Sequence, residues 1–149
     1  MSAMTDYLEN KIIDWLFRGV AYTPATTLYF GLLTAAPTDS TAGTEVSASG
    51  TNYARQPLAC SAANWAATNG ATLTTNPSTG TGGTTSNNSA VTFGVPSANW
   101  GTIAAWGIYD AVSGGNLLFY TLQTPNKTVN NGDPAPSFAI SAAQVQIDN

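Results

Sequence analysis

The chain of 149 residues has no histidine, one cysteine and four basic residues. Without imidazole, the commonest general base and metal ligand is missing, so neither a Ser-His-Asp nor a Cys-His site can be assembled. The single thiol, Cys60, makes no intrachain disulfide and leaves zinc short of ligands. It reads as a small buried apolar residue. Charged residues make up 8% of the chain, against about 25% in an average soluble domain. Lys11, Arg18, Arg55 and Lys127 are too few to neutralise the phosphates on which nucleic-acid binding depends, and the net charge of −4 points the same way. No apolar run is long enough to cross a membrane. Asp6, Glu9 and Asp14 interrupt residues 1–20, which therefore do not read as a secretory leader. Synthesis in a cytoplasm without a signal peptide is expected.

The remaining chemistry is thin. "GTGG" at 80–83 lacks the lysine and following helix of a phosphate loop. Asp110 and the carbonyls of "AVSGGN" resemble a weak calcium site, but the spacing fits no EF-hand. An aspartate accepting N–H bonds inside its own turn is the simpler reading. Asp39 and Glu45 share one loop and form the only candidate carboxylate pair of the glycosidase kind, though loops carry such residues for solvation. No enzymatic activity, no catalytic residue, no metal and no cofactor are expected.

What the chain does have is β-forming and neutral-polar. Hydrophobic residues make up 43%, and Thr, Ser, Asn and Gly fill the polar positions that ions occupy elsewhere. Weak charge repulsion between copies favours assembly. The length suits one domain, 1–149, divided into a helical anchor at 1–20 and a mainly β, antiparallel sandwich at 21–149.

Residues 5–18, "TDYLENKIIDWLFR", predict a helix. Leu8, Ile12, Trp15 and Leu16 form an apolar stripe, Thr5 stands at the N-cap, Asp14 and Arg18 have the favourable i, i+4 order, and Gly19 supplies the stop. The stripe needs a partner, either its own sheet or a neighbouring subunit. "TTLYFGLLT", 26–34, predicts a central strand covered on both faces. "YARQPLACSA" follows as a strand that Pro57 places at an edge or bulge. Residues 66–90 predict a long exposed polar loop with a short strand at 71–75. "SAVTFGVPS", 89–97, reads as a strand.

The stretch "AAWGIYDAVSGGNLLFYTL", 104–122, predicts a hairpin turning at Gly114 and Gly115. One strand shows Ala104, Trp106 and Ile108 on one face and Ile103, Ala105, Gly107 and Tyr109 on the other. The return strand divides Leu118, Tyr120 and Leu122 from Leu117, Phe119 and Thr121. Both faces are apolar, which calls for cover by a second sheet and by a helix or another subunit. After the turn-rich "TPNKTVNNGDPAP", the segment "SFAISAAQVQID" closes the chain as strand. Tyr53, Trp65 and Trp100 lie near strand ends, where exposed rings would stack on sugars of a host surface glycan or, alternatively, cap the core.

The order of "YLENKIIDWLFRG", "TTLYFGLLTAAPTD", "GTEVSASGTNYARQPLACS" and "WGTIAAWGIYDAVSGGNLLFYTLQTPNKTVNNGD" resembles a family of small structural proteins of tailed bacteriophages, often labelled tail-fibre proteins. The resemblance covers most of the chain. It implies a non-enzymatic virion component, a β-sandwich with an N-terminal helix, on the tail or as a decoration of the capsid. Its expected partners are other virion proteins and copies of itself, with a trimer as the working arrangement. The expected assembly surface is Leu8, Ile12, Trp15 and Leu16 of the helix with Trp106 and Tyr120 of the hairpin. The competing function is a sugar-binding module built on Tyr53, Trp65 and Trp100.

Overall fold

The computed structural model describes residues 2–68, 78–79 and 81–147. In chain order its elements are β1 Ser2–Met4, α1 Asp6–Phe17, β2 Thr27–Ala35, β3 Thr44–Glu45, β4 Gln56–Ala59, β5 Thr84–Ser86, β6 Val91–Thr92, β7 Gly101–Tyr109, β8 Leu117–Val129, β9 Ser137–Phe138 and β10 Gln144–Gln146. The protein is mainly β, with antiparallel sheets and one short N-terminal helix among the described residues. The large sheet runs β1-β8-β7-β2-β3, with β4 also paired to β2. Two small sheets, β5–β10 and β6–β9, complete the set. The strand expected at 71–75 falls outside the described residues.

The large sheet and the small ones meet over an aromatic core. Phe30 and Leu32 of β2, with Trp106 and Ile108 of β7, pack with Val91, Phe93 and Val145, and Phe138 is packed against the cluster. Phe30 is fully buried at the centre. Its ring lies 5.8 Å from Trp65, 5.9 Å from Trp106 and 5.7 Å from Phe138. Each large ring removes roughly 150–250 Å² from water, so this cluster dominates the packing. Pro57 sits on β4, which pairs with β2.

A break in register between Ile103 and Ala105 corrects one face assignment. Period-2 alternation puts Ile103 opposite Trp106. Between the Ile103–Lys127 and Ala105–Leu122 pairs β7 advances two residues and β8 five, so the ladder breaks on β8, and Ile103 lies in the core cluster with Trp106 and Ile108. A second shift lies between Ile108 and Tyr109. There Leu117 leaves the face of Phe119 and comes over Gly107: a β-carbon on Gly107 would lie 2.5 Å from its Cδ1.

On the opposite face of the central strands the chain supplies cover of its own. Gly31 lets the ring of Tyr109 lie flat, since a β-carbon there would meet Tyr109 Cε2 at 2.8 Å. The Arg55 guanidinium sits 3.4 Å from the centroid of the Tyr109 ring. Its Nε and Nη2 donate to the two oxygens of Glu45 at 2.9 and 2.8 Å. Its Nη1 donates to the Ala111 and Gly114 carbonyls, both at 2.8 Å. One side chain thereby joins β3, the ring on β7 and the hairpin turn. Asp110 completes that turn by accepting from Asn116 N and Nδ2, both at 2.7 Å.

Two further expectations change. The segment 66–90 is not loop throughout: β5 lies in it, and the next residue, Asn87, is fully buried. Its Nδ2 donates to the Ser89 and Ala139 carbonyls at 2.8 Å, and its Oδ1 accepts from Ala143 N at 2.9 Å. Cys60 is exposed rather than buried, and its thiol donates to the Ala25 carbonyl at 3.3 Å.

Replacing Arg55 by Met should cost about 1.5–3 kcal/mol, because it removes charge-assisted hydrogen bonds to Glu45, whose side chain is 26% exposed. Lysine should recover little, since an ammonium cannot make a two-pronged contact with Glu45 while holding two carbonyls. Urea unfolding of both variants measures this, and a loss below about 1 kcal/mol for the Met variant contradicts the assignment. Burial, chiefly, pushes the Tyr109 phenol up to about 12 and carries that of Tyr53 well above its ordinary 10.0. The unfolded chain releases those protons from pH 10 upward while the folded chain keeps them. Stability is therefore intact below pH 10 and lost as pH rises toward 12 and beyond. Tyrosinate absorbance should show both phenols titrating together with unfolding, whereas titration of all tyrosines before unfolding contradicts this.

Candidate attachment surface

α1 starts where Asp6 and Glu9 favour the positive helix end and stops at Gly19, whose φ is +68°. The Asp14–Arg18 ion pair forms at 2.9 Å. Thr5 occupies the N-cap position without capping: its hydroxyl donates to the Leu117 carbonyl at 2.6 Å and ties the helix start to β8.

The helix is seated only along its first half. Leu8 is buried and Ile12 half-buried, and α1 contacts β8. Beyond them Ile13, Trp15, Leu16, Phe17 and Val20 are 47%, 58%, 60%, 77% and 49% exposed. Residues 13, 16 and 17 follow the i, i+3, i+4 spacing of one helix face, and Val20 follows just past the helix stop. The expected stripe is thus divided, with Leu8 and Ile12 turned in and Trp15 and Leu16 left in solvent. Ile13, Phe17 and Val20 are not in the stripe read from the sequence, although the spacing of 13, 16 and 17 is visible there. The other exposed large apolar residues, such as Val95, Val112 and Ile140, are scattered over separate segments, as is ordinary for a protein surface.

The hairpin residues expected at the surface lie elsewhere. Trp106 belongs to the core, and Tyr120 is half-buried with its hydroxyl donating to Asp39 Oδ1 at 2.8 Å. Burial first, then that hydrogen bond, pushes its phenol up to about 12. The three rings considered for sugar contact also separate. Tyr53 and Trp100 are core residues with satisfied polar ends. The Tyr53 hydroxyl donates to Glu45 Oε1 at 2.7 Å and accepts from Leu32 N at 2.9 Å, while the Trp100 indole donates to the Thr51 carbonyl at 2.8 Å. Trp65 alone borders a cavity, about 400 Å³ in volume, walled by Leu28, Ile108, Phe119 and Val145. Its Nε1 is buried and has no hydrogen-bond partner. Asp39 and Glu45 are engaged with different groups, Tyr120 and the Arg55–Tyr53 pair. Among the described residues no group of three or more Cys, Asp or Glu side chains is placed to hold a metal.

The order of elements from β1 through α1 to the closing strand is matched as a whole by a family model described as "Podophage GP4 fiber I protein gp80", over residues 3–146. The chain belongs to the gp80 family. No curated protein matches it. As a gp80-family protein it is a non-enzymatic structural component of a phage virion, of the tail-fibre kind. The matched range takes in the exposed end of α1 as well as the sandwich, and no described helix is long and apolar enough to cross a membrane.

Proposed function

We propose that the chain is a fibre subunit on the outside of the particle, held to a neighbouring protein by the exposed end of α1, with its polar loops turned outward. The observation that carries this reading is the run of five large apolar side chains over residues 13–20, each about half or more exposed. Full burial of such a side chain stabilises by about 1.5–3 kcal/mol. Covering the remaining surface of all five therefore supplies several kcal/mol to a contact. Contiguous apolar surface of this kind marks interaction sites, and a chain with 8% charged residues opposes such contacts little. Neighbouring copies, a trimer among the arrangements, and other virion proteins are the partner classes this surface suits, and synthesis in the host cytoplasm requires no leader. A glycan-binding role is less well supported, because Tyr53 and Trp100 are inside the core.

Deleting residues 1–19 is a poor test, since it also removes β1 and the Thr5 bond to β8. The double substitution Leu16→Asp, Phe17→Asp changes only exposed positions. It should leave the melting temperature within a few degrees of the parent, because surface changes usually shift stability by about 0.5 kcal/mol or less. Supplied to phage that lack their own copy, the double variant should reach particles at least tenfold less than the parent, on the order of 1.4 kcal/mol or more of lost contact. Equal incorporation contradicts the proposal.

A further inference from the structure

We infer that the cavity beside the broken stretch of β8 binds a small apolar carboxylate, with its tail among aromatic rings and its charged head on Lys127. Between its pairings at Leu122 and Lys127, β8 leaves the ladder with β7. A cavity of about 320 Å³ lies against this stretch and reaches into the core itself. Trp106, Phe93 and Phe138 wall it, together with Ile103 and Val129. At the ~30 Å³ that one water takes up in the liquid, the cavity holds roughly ten non-hydrogen atoms. Apolar walls with a few placed polar groups are the usual form of a small-ligand site.

The charge beside these walls decides the class of ligand. Lys127 pairs with Ile103 across the ladder, and directly opposed residues share a face of the sheet. Ile103 is a core residue, so Lys127 stands on the inward side of β8, and its side chain joins the cavity lining. Val129, on the same face, is in the core. Where a sandwich interior ordinarily continues with apolar side chains, this one ends on an ammonium. Lys127 is exposed and has no ion pair or hydrogen bond among the described residues. The lining contains no acidic residue. In a chain with four basic residues and a net charge of −4, an unpaired cation beside an apolar cavity is complementary to an anion with an apolar body.

The remaining polar side chains narrow the choice further. Ser137 and Gln123 stand on the lining with Lys127, and Gln123 already gives its Nε2 to the Pro125 carbonyl at 3.4 Å. The Ser137 hydroxyl and the ammonium are donors suited to a carboxylate. An acidic sugar carries several hydroxyls besides, and so few polar groups would leave most of them unpaired inside. A lysine turned inward at a sheet edge also discourages edge-to-edge pairing, but that role alone needs no cavity and makes no distinction between an acid and its alcohol.

Titration of the isotope-labelled full chain with octanoate, followed by NMR, tests this. Octanoate should bind saturably and move the signals of Ile103 and Phe138. Lys127→Gln should weaken octanoate about two- to fivefold, the worth of a partly exposed charge pair, and leave binding of 1-octanol unchanged. Ala142→Phe, at an exposed position on the lining, fills the cavity and should abolish binding of both. Thermal melts check that the variants are folded, and Ser137→Phe takes the place of Ala142→Phe if the latter is not. No saturable binding, octanoate affinity that ignores Lys127→Gln, or binding that survives in the filled cavity overturns the inference. Tighter binding of glucuronate than of octanoate overturns it as well.

Discussion

The fold depends on sealing both faces of strands that are apolar on both. One face of β2 and β7 is closed by an aromatic layer centred on Phe30. The other has no such layer. Gly31 and Gly107 leave room for the Tyr109 ring and Leu117 to lie against the sheet, and Arg55 covers that ring from above. Burial alone would lower the Arg55 guanidinium. The Glu45 carboxylate more than offsets that effect, with Tyr109 and Tyr53 adding to it, and the group ends above its ordinary value. A cation so held is both a lid and a tie, since its remaining nitrogen bonds two carbonyls of the hairpin turn.

Much of the apolar surface of the hairpin is closed within the one chain. Of the hairpin rings that look like an assembly surface in the sequence, Trp106 is in the core and Tyr120 is half-buried against Asp39. The contiguous apolar run left unburied among the described residues is the far end of α1, which is fastened at its start by Thr5. For a protein without imidazole and with few ions, burying that apolar end is the means of attachment we propose. Membership of a phage fibre family fits that proposal.

Much of this was legible. The helix, its start near Thr5, its stop at Gly19, β2 and the hairpin follow from periodicity and turn residues. Face assignments were less secure. The break in the β7–β8 ladder lies on β8, where three extra residues stand between Leu122 and Lys127; Pro125 is its one mark in the sequence, and it does not tell that Ile103 ends in the core. Asn87 sits in a polar stretch that reads as loop, while its burial depends on Ala139 and Ala143, 52 and 56 positions away. Tyr53 and Trp100 near strand ends look the same in sequence whether they face in or out. The helical stripe showed which residues share a side of α1, but not where the sheet beneath it ends. That limit is set by the tertiary position of β8, and it separates Leu8 and Ile12 from Trp15 and Leu16.

A reconstruction of the intact virion by electron cryomicroscopy, at a resolution that shows side chains, tests the central claim most directly. The account predicts that residues 13–20 of every particle-bound copy are covered by another protein surface, with the Arg55–Glu45–Tyr109 cluster unchanged beneath the hairpin turn. Copies attached through the sandwich loops, with Trp15, Leu16 and Phe17 still in water, would contradict it.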